Sequence, residues 1–279
     1  GKAVDRKTGI IYLFVYSTES SKHGVWAYDP EGKLEGDGVE RVRLIYRSKQ
    51  FNFPSQGFVK GDVVHVNNRT FTDKGEEFEK DAVIYFTDGV NEPRKINAYR
   101  AFSSANRFQL YETDPFSEAD FITACPKTPV HPITFDFDRD ELRSISNFKS
   151  ESGFQFAYQN VYLDGFESAI SCYSDVAFPP TIISQGAGEV DHSLFTRCSL
   201  TIPSQSHEIE KVKILGRKGN APNHFIIDEI DVVPNEPTLY AFYNDRVIKA
   251  VSHAETDKQF DNLPRKAKAQ SVTSNRLAY

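Results

Sequence analysis

The chain has 279 residues, 39% of them hydrophobic and 26% charged, with a formal net charge of -6. That composition fits a folded protein with room for about two domains, and its acidic balance excludes wholesale coating of nucleic acid, which needs many cationic phosphate contacts. No apolar run approaches the ~18–20 residues of a membrane-spanning helix, and no basic-then-apolar N-terminus marks a secretory signal.

Phe at 22 and Tyr at 13 tilt the chain toward strands, because aromatic side chains suit a pleated, half-buried surface. Period-2 patterns recur from the start. "GIIYLFVYS" (9–17) and "VWAYDPEGK" (25–33) read as paired strands, with a turn at Asp29-Pro30-Glu31-Gly32. "VRLIYRS" places Val42, Leu44 and Tyr46 on one face and Arg43 and Arg47 on the other. "FVKGDVVHVNN" (58–68) is a further strand with a break at Gly61-Asp62. "IYFTDGVNEPRKIN" (84–97) reads as strand, turn, strand: Asp88-Gly89 supplies a positive-φ position and Pro93 an extended entry. This hairpin echoes the first one, which suggests repeated four-stranded units of the propeller-blade kind.

"CPKTPVHPIT" (125–134) carries three prolines and reads as a stiff linker running over 125–145. Beyond it, "FQFAYQNVYLDGFESAISCYS" alternates Phe154, Phe156 and Tyr158 and turns at Asp164-Gly165. "FTRCSLTIPS", "IEKVKILGRKG" and "HFIIDEIDVVP" supply three more strands, a spacing typical of a fibronectin- or immunoglobulin-like sandwich. The expected class is therefore all-β: a propeller-like domain over 1–124, the linker 125–145, an inserted sandwich over 146–235, and a return to the first domain over 236–279. A short helix is expected in "SHAETDKQF". With no Met and a strand-like end in "NRLAY", the chain reads as a segment of a longer polypeptide.

No constellation for catalysis, cofactor or metal emerges. "DFDRDE" (136–141) has the Asp-x-Asp-x-Asp spacing of a calcium loop but lacks its glycine, Leu142 standing next, so a solvated edge is the plainer reading. The seven histidines are scattered, "GAGEV" (186–190) has no strand-to-helix setting, and no Gly-x-Ser-x-Gly elbow occurs. In "SLFTRCSLTI", Cys198 falls on the alternating apolar face and reads as a small buried hydrophobe. Asn68-Arg69-Thr70 fits a glycosylation sequon without a secretion context. "RKAKAQ" (265–270) is the one dense basic cluster. Bending alone leaves Asn91, Glu92 and Arg94 unexplained. They are expected to hold a local network fixing the hairpin, with the Arg94 fork meeting Glu92 or Asp261, against the segment Asp261, Asn262, Pro264, Arg265, Lys266 and Lys268.

Taken in order, "IYFTDGVNEPRKIN", "FQFAYQNVYLDGFESAISCYS" and "FYNDRVIKAV…FDNLPRKAKAQSVTSNRLAY" resemble the tail-nozzle family of short-tailed phages, nearest to the muzzle proteins of crAss-like phages. The hairpin of that family matches Tyr162 to Ala169, with Leu163 where a polar residue is usual. The resemblance implies a structural, non-enzymatic virion protein, made in the host cytoplasm. It would form a homo-oligomeric ring, typically of six, beside neighbouring tail or portal-adaptor proteins and around transiting double-stranded DNA. Asp88, Gly89, Asn91, Glu92, Pro93, Arg94, Asp164, Gly165 and the 261–268 string would then be assembly and structural motifs. The rival expectation is a carbohydrate-binding or carbohydrate-cleaving propeller protein with a fibronectin-like accessory module, kept open by the many aromatics and surface acids.

Overall fold

A computed structural model of the chain describes residues 1–19, 22–32, 41–72, 75–98, 115–148, 153–180, 195–219, 221, 224–245, 249–251, 264–273 and 276–279, and not the side chains of 67–81 and 276. Nearly all its regular structure is strand. The chain divides into two units, Gly1–Cys125 with Asn262–Tyr279, and Pro126–Asp261.

The first unit is built on β1 (Lys2–Val4), β2 (Ile11–Val15), β3 (Gly24–Tyr28), β4 (Val42–Arg47), β5 (Lys60–Thr72), β6 (Gly75–Thr87) and β7 (Arg94–Asn97). They form one seven-stranded sheet in the order β4-β3-β2-β1-β5-β6-β7. Neighbours are antiparallel except β1 and β5, which run parallel with Lys2 opposite Lys60. The two similar hairpins thus belong to a single sheet, not to two separate four-stranded units.

That sheet curls. Phe14 on β2 and Phe86 on β6 are separated by β1 and β5, which in a flat sheet would place them roughly 14 Å apart. Their ring centroids are 4.8 Å apart. The small residues between them allow this: a Cβ built on Gly61 would lie 3.0 Å from the Ala3 Cβ and 3.1 Å from the Phe14 ring. Gly61 is therefore a site of close approach inside β5, not the break expected there. Phe51 and Phe53 complete the concave core, stacked on each other at 5.0 Å and set edge-on to Phe86.

The expected face assignment of β4 also changes. A register shift opposite Val25/Trp26 inserts an irregularity, so Ile45 and Tyr46 are both buried while Val42 is exposed. A short helix, α1 (Glu118–Ile122), opens on a capping box from Ser117 and Asp120 and packs by β7. The C-terminal β15 (Ser271–Thr273) and β16 (Arg276–Ala278) form a hairpin of the same unit.

The second unit is a pair of antiparallel sheets. One orders β13 (Thr238–Phe242), β10 (Arg197–Ile202) and β8 (Thr134–Asp138); the other orders β14 (Lys249–Ala250), β12 (Phe225–Asp231), β11 (Ile209–Lys218) and β9 (Phe154–Tyr162). Phe242 of the first sheet meets Phe154 and Phe156 of the second at 5.5 and 5.4 Å, and Cys198, Leu200 and Ile202 bury the alternate positions of β10.

Two expected boundaries move. The stretch 125–145 is not linker throughout, because Thr134–Asp138 pairs with β10 and buries Phe137. Likewise the return to the first unit does not begin at 236. Pro234-Asn235-Glu236-Pro237 is a turn inside the second unit, with Asn235 at φ 63, and β13 after it pairs with β10. The expected helix in 252–260, the Gly186–Val190 loop, Asp261 and Asn262 lie outside the described residues.

Candidate functional site

The turn between β6 and β7 is shaped first by Asp88. Its Oδ1 accepts from the Val90 and Asn91 N–H groups at 2.9 and 2.7 Å, and Oδ2 accepts from Asn91 Nδ2 at 2.5 Å. Gly89 takes φ 76, which a side chain would resist. Asn91 Nδ2 also reaches the Asn52 carbonyl at 3.1 Å, and Asn52 Nδ2 returns a bond to Asn91 Oδ1 at 3.4 Å. The turn is thereby stitched to the 3-10 turn Lys49–Phe51, whose start is capped by Ser48 Oγ and whose end is the left-handed Asn52.

Arg94 completes the stitch. Its Nη1 donates to the Phe51 carbonyl, so the guanidinium caps the C-terminal end of that turn. This corrects the expected pairing with Glu92, whose charge, with that of Asp88, acts on Arg94 through space. Burial pulls the guanidinium below its ordinary value, and those two carboxylates oppose the shift. The carbonyl of Pro93 accepts from the Ala124 N–H at 3.0 Å, extending the hold to the segment after α1. Tyr46 OH donates to Glu118 Oε1 at 2.7 Å, tying β4 to the same helix.

The basic string lies against this turn. Arg265 shares a shallow depression with Asn91, Glu92 and Arg94. A Cβ on Gly89 would sit 3.9 Å from the Lys268 Cγ, and Ala267 is buried between exposed Lys266 and Lys268. Residues far apart in the chain are thus neighbours. Asp164 and Gly165 belong to the second unit, where Gly165 at φ 79 donates to the Tyr162 carbonyl at 2.8 Å and Asp164 Oδ1 accepts from the Phe166 N–H at 3.4 Å.

Beyond Gly165 the chain does not form an ordinary strand. Ser168, Ser171 and Ser174 donate their N–H groups to the carbonyls of Asn160, Tyr158 and Phe156 at 2.7–2.9 Å. Their Oγ atoms accept from the N–H groups of the same three residues at 2.9–3.0 Å. Each hydroxyl then donates to the carbonyl of the residue after it, at 2.8–2.9 Å. β9 advances two residues while its partner advances three, and the serine hydroxyl replaces the missing backbone acceptor at each step. All three serines are buried. The signal in the sequence is the spacing Ser-x-x-Ser-x-x-Ser, which matches neither strand nor helix period and so is invisible to a search for either.

A second feature that periodicity does not reveal is Asp5, buried in the turn between β1 and β2. Its carboxylate accepts from Thr8 Oγ1 at 2.6 Å, Lys7 N at 2.9 Å and His65 Nε2 at 2.9 Å. Burial alone would raise its pKa; the bonds from Thr8, His65 and the Lys7 N–H outweigh that and hold it below the usual carboxylate range.

Of the acids in 136–141, Asp138 and Asp140 have side-chain partners. Asp138 takes a two-pronged bond from Arg197 at 2.6 and 2.8 Å, which holds its carboxyl low, and Asp140 accepts from Tyr243 OH at 2.8 Å. No group of three or more His, Cys, Asp or Glu able to hold a metal is found among the described residues. Cys198 is fully buried, its thiol pushed up to about 12 by burial with Asp136 and Asp138 adding to it. No described helix is long and apolar enough to cross a membrane. No protein-family model matches the chain, and no curated protein matches it.

Proposed function

We propose that the chain is a structural component of a phage tail, part of the nozzle or muzzle ring through which DNA leaves the particle. The observation that carries this reading is the meeting of its two specific strings: the Asp88–Arg94 turn and the Arg265–Lys268 segment lie together in the first unit, the turn itself fixed by side-chain bonds to the Phe51 and Asn52 carbonyls. A hairpin whose Asp88, Asn91 and Arg94 are spent on main-chain N–H and carbonyl groups suits a rigid wall better than a reacting site. In the same reading the curled sheet is the propeller-like body, and the second unit is a fibronectin- or immunoglobulin-like sandwich inserted into it. An acidic chain suits a conduit, because a lysine-rich lining would hold DNA phosphates by counterion release.

Electron microscopy of the full chain after purification tests this. The expected result is closed rings, six-fold in symmetry, with a central channel, and antibodies to the chain that label phage tails. Saturable glycan binding or release of reducing sugar, without rings, would overturn it in favour of a carbohydrate-directed protein.

A further inference from the structure

We propose that the bare outer face of β1–β4 is a docking surface for the Leu142–Ile145 loop of a second copy of the chain; this rests on the ring reading above. The core lies on the concave side of the curled sheet, so the alternate side chains point outward. The register sets Leu13, Trp26 and Leu44 in one row, and Val4, Ile11, Tyr28 and Val42 in the next. The Trp26 indole fills the space over Gly24, where a Cβ would stand 3.4 Å from its Nε1 and 3.4 Å from the Leu44 Cδ1. Val4 and Val42 are 44% and 52% exposed, and none of the seven is buried. On the same side of β6 and β7, Val83, Tyr85 and Lys95 are all buried. One end of this face is thus covered and the other is bare. At ordinary strand and residue spacings the bare part spans roughly 300 Å2, a size at which an apolar patch often serves an interaction.

Charge selects the occupant. Lys2, Lys60 and Arg47 share this face with Asp62, which Arg6 approaches, so two such faces meeting would set like charges together. Within the bounds of the two units the first holds 21 Lys and Arg against 19 Asp and Glu, and the second 12 against 20, which divides the net -6 into +2 and -8. A second copy therefore offers an acidic second unit. There the loop after β8 carries Leu142 and Ile145, 95% and 73% exposed, beside exposed Glu141. This loop is fixed before any partner arrives. Arg143 pairs with Asp245 at 2.5 Å and Ser146 Oγ donates to the Phe195 carbonyl at 2.6 Å. Asn147 Nδ2 donates to the Tyr243 carbonyl at 3.1 Å, and Asn244 Nδ2 to the Asn147 carbonyl at 2.9 Å. Such preorganisation lowers the ordering cost of binding. Two different surfaces of one chain make a head-to-tail contact, the kind that propagates into a ring. A standard interface needs about 800 Å2 per partner, so the patch is its apolar centre and the charged surroundings complete it.

The test is sedimentation velocity of the full chain as wild type, Leu13→Lys, Leu142→Asp and an equimolar mixture of the two variants. Leu13 and Leu142 are exposed, so both variants keep the wild-type thermal midpoint; should Leu13→Lys fail to fold, Val42→Lys takes its place. Each variant alone is expected to self-associate about tenfold more weakly than wild type, or worse. The mixture is expected to form one-to-one dimers and nothing larger, because only one intact face and one intact loop remain to meet. A mixture that stays monomeric would overturn the pairing of these two surfaces. Rings formed by Leu142→Asp but not by Leu13→Lys would overturn the loop as occupant and leave the face meeting another surface. Rings formed by both variants would overturn this site and leave the ring reading standing. A wild type that stays monomeric at every concentration would overturn both.

Discussion

Removing one hydroxyl from the serine ladder should measurably weaken the second unit. In Ser171→Ala the main-chain bond from residue 171 to the Tyr158 carbonyl stays, since it needs no side chain. The change deletes the Oγ that accepts from the Tyr158 N–H at 2.9 Å and donates to the Cys172 carbonyl at 2.9 Å. Ser171 is 4% exposed and Tyr158 3%, so water has little access to replace it. A buried donor left without an acceptor costs about 1–3 kcal/mol, and the carbonyl, with a second lone pair and a nearer surface, costs less. The expected loss is therefore about 2 kcal/mol in chemical denaturation, with an unchanged m-value. Hydrogen exchange gives the sharper readout, because the Tyr158 amide should lose protection while Ala157, which faces β11, keeps it. Ser168→Ala and Ser174→Ala should behave alike through Asn160 and Phe156. A Ser171→Ala protein within about 0.5 kcal/mol of wild type, with the Tyr158 amide still protected, would refute the ladder as a source of stability.

Gly61→Val should destabilise the first unit by about 1–3 kcal/mol in urea unfolding, since even a Cβ there lies 3.0 Å from Ala3 and 3.1 Å from the Phe14 ring. Arg94→Ala should cost about 1–3 kcal/mol by leaving the Phe51 carbonyl uncapped, and Arg94→Lys less, both read from denaturant midpoints. Because the folded pKa of Asp5 is depressed, the stability it contributes is present above its unfolded value of about 3.9 and is lost as pH falls through the folded value. Asp5→Asn should flatten that acid limb of a stability–pH curve. Of the two cysteines in the second unit, exposed Cys172 should react with a maleimide in the native state and buried Cys198 only after unfolding.

Much of the strand content was legible because period-2 alternation reports directly on burial. In β10, Cys198, Leu200 and Ile202 are buried at every second place, and the Asp88-Gly89 and Asp164-Gly165 turns stand where their chemistry requires positive φ. Alternation misled where a register shift interrupts it, as at β4, where Ile45 and Tyr46 face inward together. It also failed where three prolines drew attention from the next residues: Thr134–Asp138 is a strand despite following Pro132 by two places. For the candidate site, the turn and the basic string were legible as strings, but the partner of Arg94 was not. A main-chain carbonyl is available from any residue type, so nothing in the sequence singles out Phe51 as the acceptor.

The same limit has a structural meaning at the sheet edges. A strand at the rim of a sheet exposes unpaired N–H and C=O groups, and proteins cover such rims to avoid indiscriminate pairing. Here two rims are covered by segments without strand periodicity. β9 is closed by a three-residue serine repeat, and β7 by the Arg94–Thr123 bridge with the Pro93 carbonyl bonded to the Ala124 N–H. Side-chain hydroxyls and single main-chain bonds do there what a neighbouring strand would otherwise do. Such closures bury backbone without adding an apolar stripe, which is why hydrophobic patterning cannot report them. At β9 the closure also fixes the rim to one geometry, since a shift of one residue would move every serine off its N–H. A chain whose edges are locked in this way can pack against copies of itself through chosen side chains rather than by open strand pairing.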